Sequence, residues 1–227
     1  MKRILIVNNT SIVSKNGSLF VFRSDEVSSY LKDKGYEVEF FQFRNEIDSG
    51  IHTYNLIKNG FKVSTIKFFR PKILGYLIAY LIGIWRLLFN DFVYIYYPNH
   101  FKLLGPVAKL TGKEYGLYLR GCVGIDTKIS KFLYKNAKVV FCVSPIFTDL
   151  VNDAGGRGLD KKPTMPFSCE DIVRERKYTT KDKYKILYLG RIEEDKGLYE
   201  LLDAIKKLIY IYSNFTVDIV GDGGILE

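Results

Sequence analysis

Strand-like apolar runs alternate with helical patterns along all 227 residues, and this alternation constrains the fold more than any other feature of the sequence. It is typical of βαβ units, in which each helix connects two parallel strands of one sheet. The pattern therefore predicts an α/β fold with a mostly parallel sheet. The predicted strands span residues 3–9, 36–44, 91–98, 115–121, 138–145, 185–191 and 215–221.

A polar segment divides the chain into two parts. Residues 171–183 are charged and poor in apolar side chains, which is typical of a linker. We predict an N-terminal domain over residues 1–170 and the beginning of a second domain over residues 184–227. The second part contains only a strand, a helix and a strand, which cannot bury both faces of a parallel sheet. We therefore expect residues 184–227 to be an incomplete domain.

Composition restricts the classes of partner and of site. The net charge of +9 indicates an anionic partner, which is a nucleic acid, an acidic membrane surface or a phosphorylated ligand. The three cysteines, Cys122, Cys142 and Cys169, form no CxxC pair, so the sequence disfavours a zinc site and predicts reduced thiols. The apolar run after Met1 is too short for a signal peptide, and we expect an intracellular protein.

The apolar segment at residues 73–85 has two interpretations. It is shorter than the roughly 20 residues that cross a bilayer, and Arg86 interrupts it, so we reject a membrane span. The segment is either a helix buried between the sheet and a neighbour or a helix that docks on an anionic membrane surface. Residues 49–90 contain no Asp or Glu, which suits the second interpretation. That interpretation predicts a membrane-facing cluster of Lys67, Arg70 and Lys72.

Two cations stand just before the last helix of the chain. Apolar residues recur every three to four positions after Gly197, which predicts an amphipathic helix. Arg191 ends the preceding strand and Lys196 comes just before the helix, so both lie at the carboxyl edge of a parallel sheet, where ligands bind. Unpaired N–H groups at the helix start also attract anions. Two interpretations follow: a diphosphate clamp, or a solvated pair balanced by Glu193, Glu194 and Asp195.

The segment YLGRIEEDKGLYELLDAI, followed by VDIVGDGG, resembles the start of the C-terminal domain of retaining glycosyltransferases of family 4, which have the GT-B architecture. The resemblance implies that Arg191 and Lys196 hold the diphosphate of a UDP- or GDP-sugar donor. It also implies that Gly190, Gly221 and Gly223 lie against the nucleotide. No metal or other cofactor is implied, because the two cations and the helix dipole supply the positive charge.

The N-terminal part resembles the same family through RILIVNN, DFVYIYYPNH and KVVFCVSP. The implied fold is a GT-B-type Rossmann-like domain with a parallel sheet, followed by the first βαβ unit of a second Rossmann-like domain. Gly17 stands where the family's glycine loop approaches the donor phosphates, although Ser18 replaces the usual second glycine. Arg120 replaces a histidine that many members direct into the cleft; a guanidinium can hold a phosphate but cannot act as a base. The nearest histidine in a plausible place is His100, which follows YYPN at the carboxyl end of another predicted strand. Arg120 and His100 are the predicted catalytic residues.

The implied reaction transfers a sugar, with retention, from a nucleotide diphosphate to a lipid-linked or saccharide acceptor. The resemblance indicates assembly of capsule, exopolysaccharide or another surface glycan. The basic N-terminal part indicates a peripheral location at the inner face of the cell membrane. The alternative is an inactive truncated homologue that binds a nucleotide sugar, a membrane or a partner glycosyltransferase. A nicotinamide-dependent oxidoreductase lacks support because no GxGxxG follows the first strand, and no nucleic-acid recognition motif is present.

Overall fold

The chain divides into two compact units, Met1–Pro166 and Phe167–Glu227. The computed structural model describes residues 2–22, 26–46, 52–161, 170 and 183–223. Cys169 and, apart from Lys183, the predicted linker lie outside the described residues. The described strands of the first unit are β1 (Arg3–Val7), β2 (Ile12–Lys15), β3 (Ser18–Phe22), β4 (Glu37–Asn45), β5 (His52–Asn55), β6 (Lys62–Lys67), β7 (Phe92–Tyr97), β8 (Glu114–Leu119), β9 (Val139–Cys142) and β10 (Gly158–Asp160). Its described helices are α1 (Glu26–Asp33), α2 (Lys72–Leu88), α3 (Leu104–Leu110), α4 (Lys128–Asn136) and α5 (Pro145–Asp153).

Seven of these strands run parallel, in the order β10-β9-β8-β7-β1-β4-β6. The strand order reads outward in both directions from the neighbours β1 and β7, which is the doubly wound arrangement of Rossmann-like folds. The predicted α/β fold with a mainly parallel sheet is therefore confirmed. All five strands predicted in this unit are present, with ends that differ by at most three residues.

A hairpin follows β1 where a glycine loop was predicted. Strands β2 and β3 pair in an antiparallel register that joins Lys15 to Ser18. Between them Asn16 and Gly17 both have positive φ, 47° and 74°, as a type I′ turn requires. Strand β2 runs beside the carboxyl end of β4, so the hairpin prolongs the sheet beyond β1. The loop interpretation was wrong because an Asn-Gly pair between two apolar runs favours a hairpin.

The helices lie in two layers on opposite faces of the sheet. Alternate residues of β1 show the division: Leu5 and Val7 belong to one core, and Ile4 and Ile6 belong to the other. The first core takes buried side chains from α2, α3, α4 and α5, whereas α1 packs against the second. Helices α2 to α5 therefore form a single layer over one face of the sheet.

Helix α2 packs closely on this face through small residues. Its buried positions are Gly75, Ala79, Gly83 and Leu87, spaced four apart. A Cβ atom at Gly83 would lie 3.0 Å from the Phe41 ring, so the absence of a side chain allows the close approach. The helix is buried along this stripe only, because its opposite face is exposed. None of the helices in the described ranges combines the length and apolar character that a bilayer span requires.

The second unit contains one βαβ element in its described part. It consists of β11 (Tyr184–Leu189), a short 3-10 helix (Glu194–Lys196), α6 (Leu198–Leu208) and β12 (Phe215–Val220). Strands β11 and β12 are parallel and fully in register, which confirms the two predicted strands and the helix between them. The predicted apolar stripe of α6 is only partly covered: Leu198 is buried, whereas Leu202 and Ile209 are exposed.

Candidate functional site

The first group of candidate residues lies where the strand order of the large sheet reverses, between β1 and β7. Ligands of open α/β sheets bind in the crevice at such a point. Asn99 bridges it: the side-chain Nδ2 donates hydrogen bonds to the backbone oxygens of Asn8, at 2.6 Å, and Tyr96, at 3.1 Å. Its Oδ1 accepts a bond of 2.9 Å from the Phe101 N–H. Asn99 therefore fixes the backbone of both strand ends, a role that the sequence did not reveal.

The two predicted catalytic residues follow the adjacent strands β7 and β8. The Arg120 N–H donates to the Tyr97 oxygen at 3.0 Å and prolongs the ladder between these strands. Its guanidinium carbon lies 5.6 Å from the centre of the Tyr118 ring, a cation–π distance. The His100 ring lies 5.6 Å from the ring of Tyr76 on α2. Both side chains are exposed at the same edge of the sheet, and their catalytic roles stay predictions.

Buried hydroxyl groups hold the loop that follows Arg120. Ser130 Oγ donates a 2.6 Å hydrogen bond to the Gly124 oxygen and lies 2.6 Å from the Tyr97 hydroxyl. The Tyr134 hydroxyl donates to the Ile125 oxygen at 2.8 Å. Burial raises the pKa of both tyrosines, so these phenols stay protonated and keep donating. These hydrogen bonds therefore fix the loop that follows Arg120. The sequence did not predict this role for Tyr97, Ser130 and Tyr134.

Gly17 lies at the tip of the β2–β3 hairpin. Its φ of 74° is a conformation that favours glycine, and a Cβ atom there would have no neighbour within 4 Å. The turn geometry alone thus accounts for glycine at this position. Its predicted contact with donor phosphates stays a prediction.

In the second unit, the two predicted clamp residues converge on one carboxylate. Lys196 Nζ lies 2.8 Å and Arg191 Nη2 lies 3.9 Å from the same oxygen, Asp195 Oδ2. The hydrogen bond from Lys196 is the main cause that lowers the pKa of the Asp195 carboxyl group. The Tyr188 hydroxyl donates to the Arg191 oxygen at 3.1 Å, which ties the end of β11 to this loop. Two cations thus surround one anionic oxygen just before α6.

The glycines after β12 lie against the loop that carries Arg191. The hydrogen-bond ladder between β11 and β12 continues past the strand ends. The Gly190 N–H donates to the Val220 backbone oxygen at 3.1 Å, and the Ile192 N–H donates to the Asp222 backbone oxygen at 2.9 Å. A Cβ atom at Gly221 would clash with the Gly190 oxygen, and one at Gly223 would clash with the Ile192 oxygen. Backbone packing therefore requires both glycines, and it brings them beside Arg191. Their predicted contact with a nucleotide stays a prediction.

The cations predicted to face a membrane are exposed near the start of α2. Lys67 ends β6 and forms an ion pair of 2.8 Å with Glu46, whose pKa it lowers mainly through a hydrogen bond. Lys72 is the first residue of the helix and Arg70 lies two residues before it, and both are exposed. In the described ranges, no group of three or more His, Cys, Asp or Glu side chains is placed to hold a metal ion.

Comparison with known proteins places this geometry in a fold class. No family model and no curated protein matches the sequence. The solved structures that match include MurG of Acinetobacter baumannii, with 15% identity and a TM-score of 0.59 over 97% of this chain. They also include Anabaena HepE in complex with UDP, with 16% identity and a TM-score of 0.62 over 100% of this chain. A glycosyltransferase from Rickettsia africae matches with 16% identity and a TM-score of 0.60 over 97% of this chain. The chain has a GT-B glycosyltransferase fold.

This GT-B likeness takes in both units, because the matches cover 97% or more of the chain. The chain spans 68% of the length of MurG, 62% of HepE and 60% of the Rickettsia protein. The predicted GT-B architecture is confirmed at the level of the fold. In terms of that fold, the crevice at β1 and β7 belongs to the first Rossmann-like unit, and the loop with Arg191 and Lys196 belongs to the second.

Proposed function

We propose that the chain belongs to a glycosyltransferase that transfers a sugar from a UDP- or GDP-sugar to an acceptor. The observation that carries the proposal is the convergence of Arg191 and Lys196 on one anionic oxygen before α6. An oxygen of the donor diphosphate would take the place of the Asp195 carboxylate. The structure of HepE with UDP supports a uridine nucleotide as the donor carrier.

The chemistry follows from where negative charge develops. When the bond between sugar and diphosphate breaks, the leaving diphosphate gains charge, and two fixed cations stabilise it. The N-terminal end of α6 adds a positive partial charge. Because these groups supply the charge, we propose that the transfer proceeds without a metal or other cofactor. We propose retention at the anomeric carbon, as in family 4, on the basis of the sequence resemblance.

The acceptor would bind at the crevice of the first unit. Arg120 can hold a phosphate or a developing negative charge but cannot remove a proton, so His100 is the proposed base at this edge. A lipid-linked acceptor suits the exposed apolar face of α2 in the same unit. WaaB, described as a lipopolysaccharide outer core galactosyltransferase, shares the fold with a TM-score of 0.57 and 15% identity. These points support a role in surface glycan assembly.

The same features support a peripheral location at the inner face of the cell membrane. Lys67, Arg70 and Lys72 are exposed around the start of α2. Cations beside an apolar helix favour contact with anionic lipids, each contributing about 1 kcal/mol near the surface. We propose that this location brings a membrane-embedded acceptor to the crevice.

A second candidate function is binding without turnover. Leu187 and Leu189 on β11 are 62% and 75% exposed, so the described part of the second unit leaves apolar strand surface uncovered. Such surface suits a protein partner, for example a partner glycosyltransferase. Release of UDP from a UDP-sugar in the presence of membrane extract would support the transferase, whereas UDP binding without release would support this alternative.

The donor clamp can be tested by titration calorimetry with UDP. A charge-assisted hydrogen bond contributes about 1.5–3 kcal/mol, and both side chains are partly exposed, so we take the lower end. Arg191→Ala and Lys196→Ala should each weaken UDP binding by about tenfold, since about 1.4 kcal/mol is one decade in affinity. Lys206→Ala and Lys207→Ala remove the same charge at the other end of α6 and should leave affinity within about twofold. Equal affinities in all four variants would exclude the clamp.

A further inference from the structure

The outer face of helix α2 is an exposed apolar surface that neither the donor clamp nor the crevice explains. Ile73, Leu77, Leu81 and Trp85 are 85%, 56%, 60% and 59% exposed. They lie four residues apart and two positions out of step with the buried stripe, which puts them on the opposite side of the helix. At about 1.5 Å per residue the stripe extends roughly 18 Å. Exposed apolar patches of this kind mark interaction sites on soluble proteins.

The apolar surface continues across the neighbouring helices of the same layer. Helices α2, α3 and α4 pack side by side over one core of the sheet, so their exposed side chains point away from it. Leu110 at the end of α3 is 86% exposed, and Phe132 in α4 is 55% exposed. We call this surface the outer helix face: Ile73, Leu77, Leu81, Trp85, Leu110 and Phe132.

Charge on these helices has one sign. The sequences of α2, α3 and α4 contain no Asp or Glu. Their cations are Lys72, Arg86, Lys109, Lys128, Lys131 and Lys135. Acidic residues flank these helices: Asp126, in the loop before α4, pairs with Lys131 at 2.7 Å, and Asp149 and Asp153 lie in α5. A wide apolar surface surrounded by cations complements a surface that is apolar inside and anionic at its boundary.

We propose that the outer helix face docks on an anionic phospholipid bilayer, with α2 parallel to the membrane plane. Trp85 and Phe89 form an exposed ring pair with centroids 5.1 Å apart, and tryptophan side chains favour the membrane–water interface. The lysines of α4 contact lipid phosphates, while the leucines of α2 enter the acyl boundary. The proposal rests on the proposed membrane location. It assigns the face that contacts the lipid, and it adds α3 and α4 to the three cations predicted from sequence.

Trp85 makes the test direct, because it is the sole tryptophan of the chain and belongs to the outer helix face. The whole chain is titrated with mixed phosphatidylcholine–phosphatidylglycerol vesicles and, separately, with pure phosphatidylcholine vesicles, without nucleotide. We expect a blue shift of Trp85 fluorescence and co-sedimentation with the mixed vesicles, at least tenfold stronger than with the neutral ones. Sedimentation without a change in Trp85 fluorescence would overturn the proposed face.

Paired variants separate the apolar and ionic contributions. The double variants Leu77→Ser with Leu81→Ser, and Lys128→Glu with Lys135→Glu, should each reduce partition into mixed vesicles by about tenfold or more. The matched control is Lys34→Glu with Lys58→Glu, which makes the same charge change on the side of the sheet that carries α1 and should leave partition within about threefold. An equal loss in the control would overturn the proposal, because it would indicate attraction by net charge alone.

Self-association is the competing explanation. A blue shift of Trp85 that follows protein concentration without vesicles, together with a dimer in size-exclusion chromatography, would overturn the proposal in favour of a second copy of the chain. Failure of the proposed donor clamp has a different signature. If the clamp is wrong, Arg191→Ala leaves UDP affinity unchanged, whatever the vesicle result. If both proposals hold, Arg191→Ala lowers UDP affinity without changing vesicle binding, and the double leucine variant does the reverse.

Discussion

Two leucines of helix α2 provide a direct test of which face of this helix packs on the sheet. Leu87 is fully buried in the core beneath the helix layer, and Leu81 is 60% exposed. The substitutions Leu87→Ala and Leu81→Ala make the same chemical change in the same helix, so intrinsic helix propensity affects both equally. The difference between their unfolding free energies therefore isolates burial.

The expected magnitudes follow from the surroundings of each side chain. Leu87→Ala removes buried methyl groups and leaves a cavity, which costs about 3 kcal/mol. For a unit of this size that loss lowers Tm by about 6–12 °C. Leu81→Ala leaves no cavity, because the side chain is exposed, and it should change the free energy of unfolding by less than about 0.5 kcal/mol.

The assay is urea denaturation followed by Trp85 fluorescence, because the sole tryptophan lies on α2 and reports the first unit. Following one unit avoids treating the two units as a single two-state transition. If Leu81→Ala costs as much as Leu87→Ala, then both faces of α2 are covered. The outer helix face would then be an internal interface, and the reasoning from exposure to bilayer docking would be refuted.

Two further predictions concern buried titratable groups. Cys142 is buried, which raises the pKa of its thiol, whereas Cys122 is exposed, so iodoacetamide at neutral pH should alkylate Cys122 far faster; equal rates in peptide mapping would contradict the packing of β9. Burial raises the pKa of Tyr115 and Tyr134 above the ordinary value of 10.0. Their contribution to stability is fully present below that pH and is lost as pH rises from there towards the raised folded-state pKa, because the unfolded chain ionises first. Exposed tyrosines should therefore ionise first, and the last part of the tyrosinate absorbance should appear together with unfolding. Ionisation of all tyrosines before unfolding would show that these two are not buried.

Five of the seven parallel strands of the first unit could be predicted from sequence, because burial on both faces gives a clear apolar pattern. Strand β6, with the sequence KVSTIK, and the three-residue β10 lack that pattern and were missed. In β7, five of the six residues are buried, so the strand reads as a nearly continuous apolar run. Strands β2, β3 and β5 lie at one side of the sheet; β2 and β3 are short, and β5, with the sequence HTYN, has no apolar run. The Asn16–Gly17 pair favours a hairpin turn and could have predicted this one. The family resemblance instead led us to expect a phosphate-binding loop at Gly17.

Helix α2 shows where a single sequence pattern supports two structures. An almost continuous apolar segment cannot distinguish burial on both faces from burial on one face, because periodicity is lost when every position is apolar. The deciding information is the spacing of small residues at Gly75, Ala79 and Gly83, which identifies the packed side. That spacing is visible in the sequence, yet its meaning depends on contacts with Phe41 and Leu104, which are distant along the chain.

The glycines at the end of β12 limit what the family resemblance can prove. Gly221 and Gly223 match a nucleotide loop by position, but the backbone of Gly190 and Ile192 already excludes any side chain at both places. Their presence therefore carries no independent information about a ligand. Arg191 and Lys196 differ, since the fold does not require two cations around one carboxylate, and an exposed pair of this kind adds little stability. The proposed diphosphate site thus depends on the two cations rather than on the glycines, and the UDP titration targets the side chains of these cations.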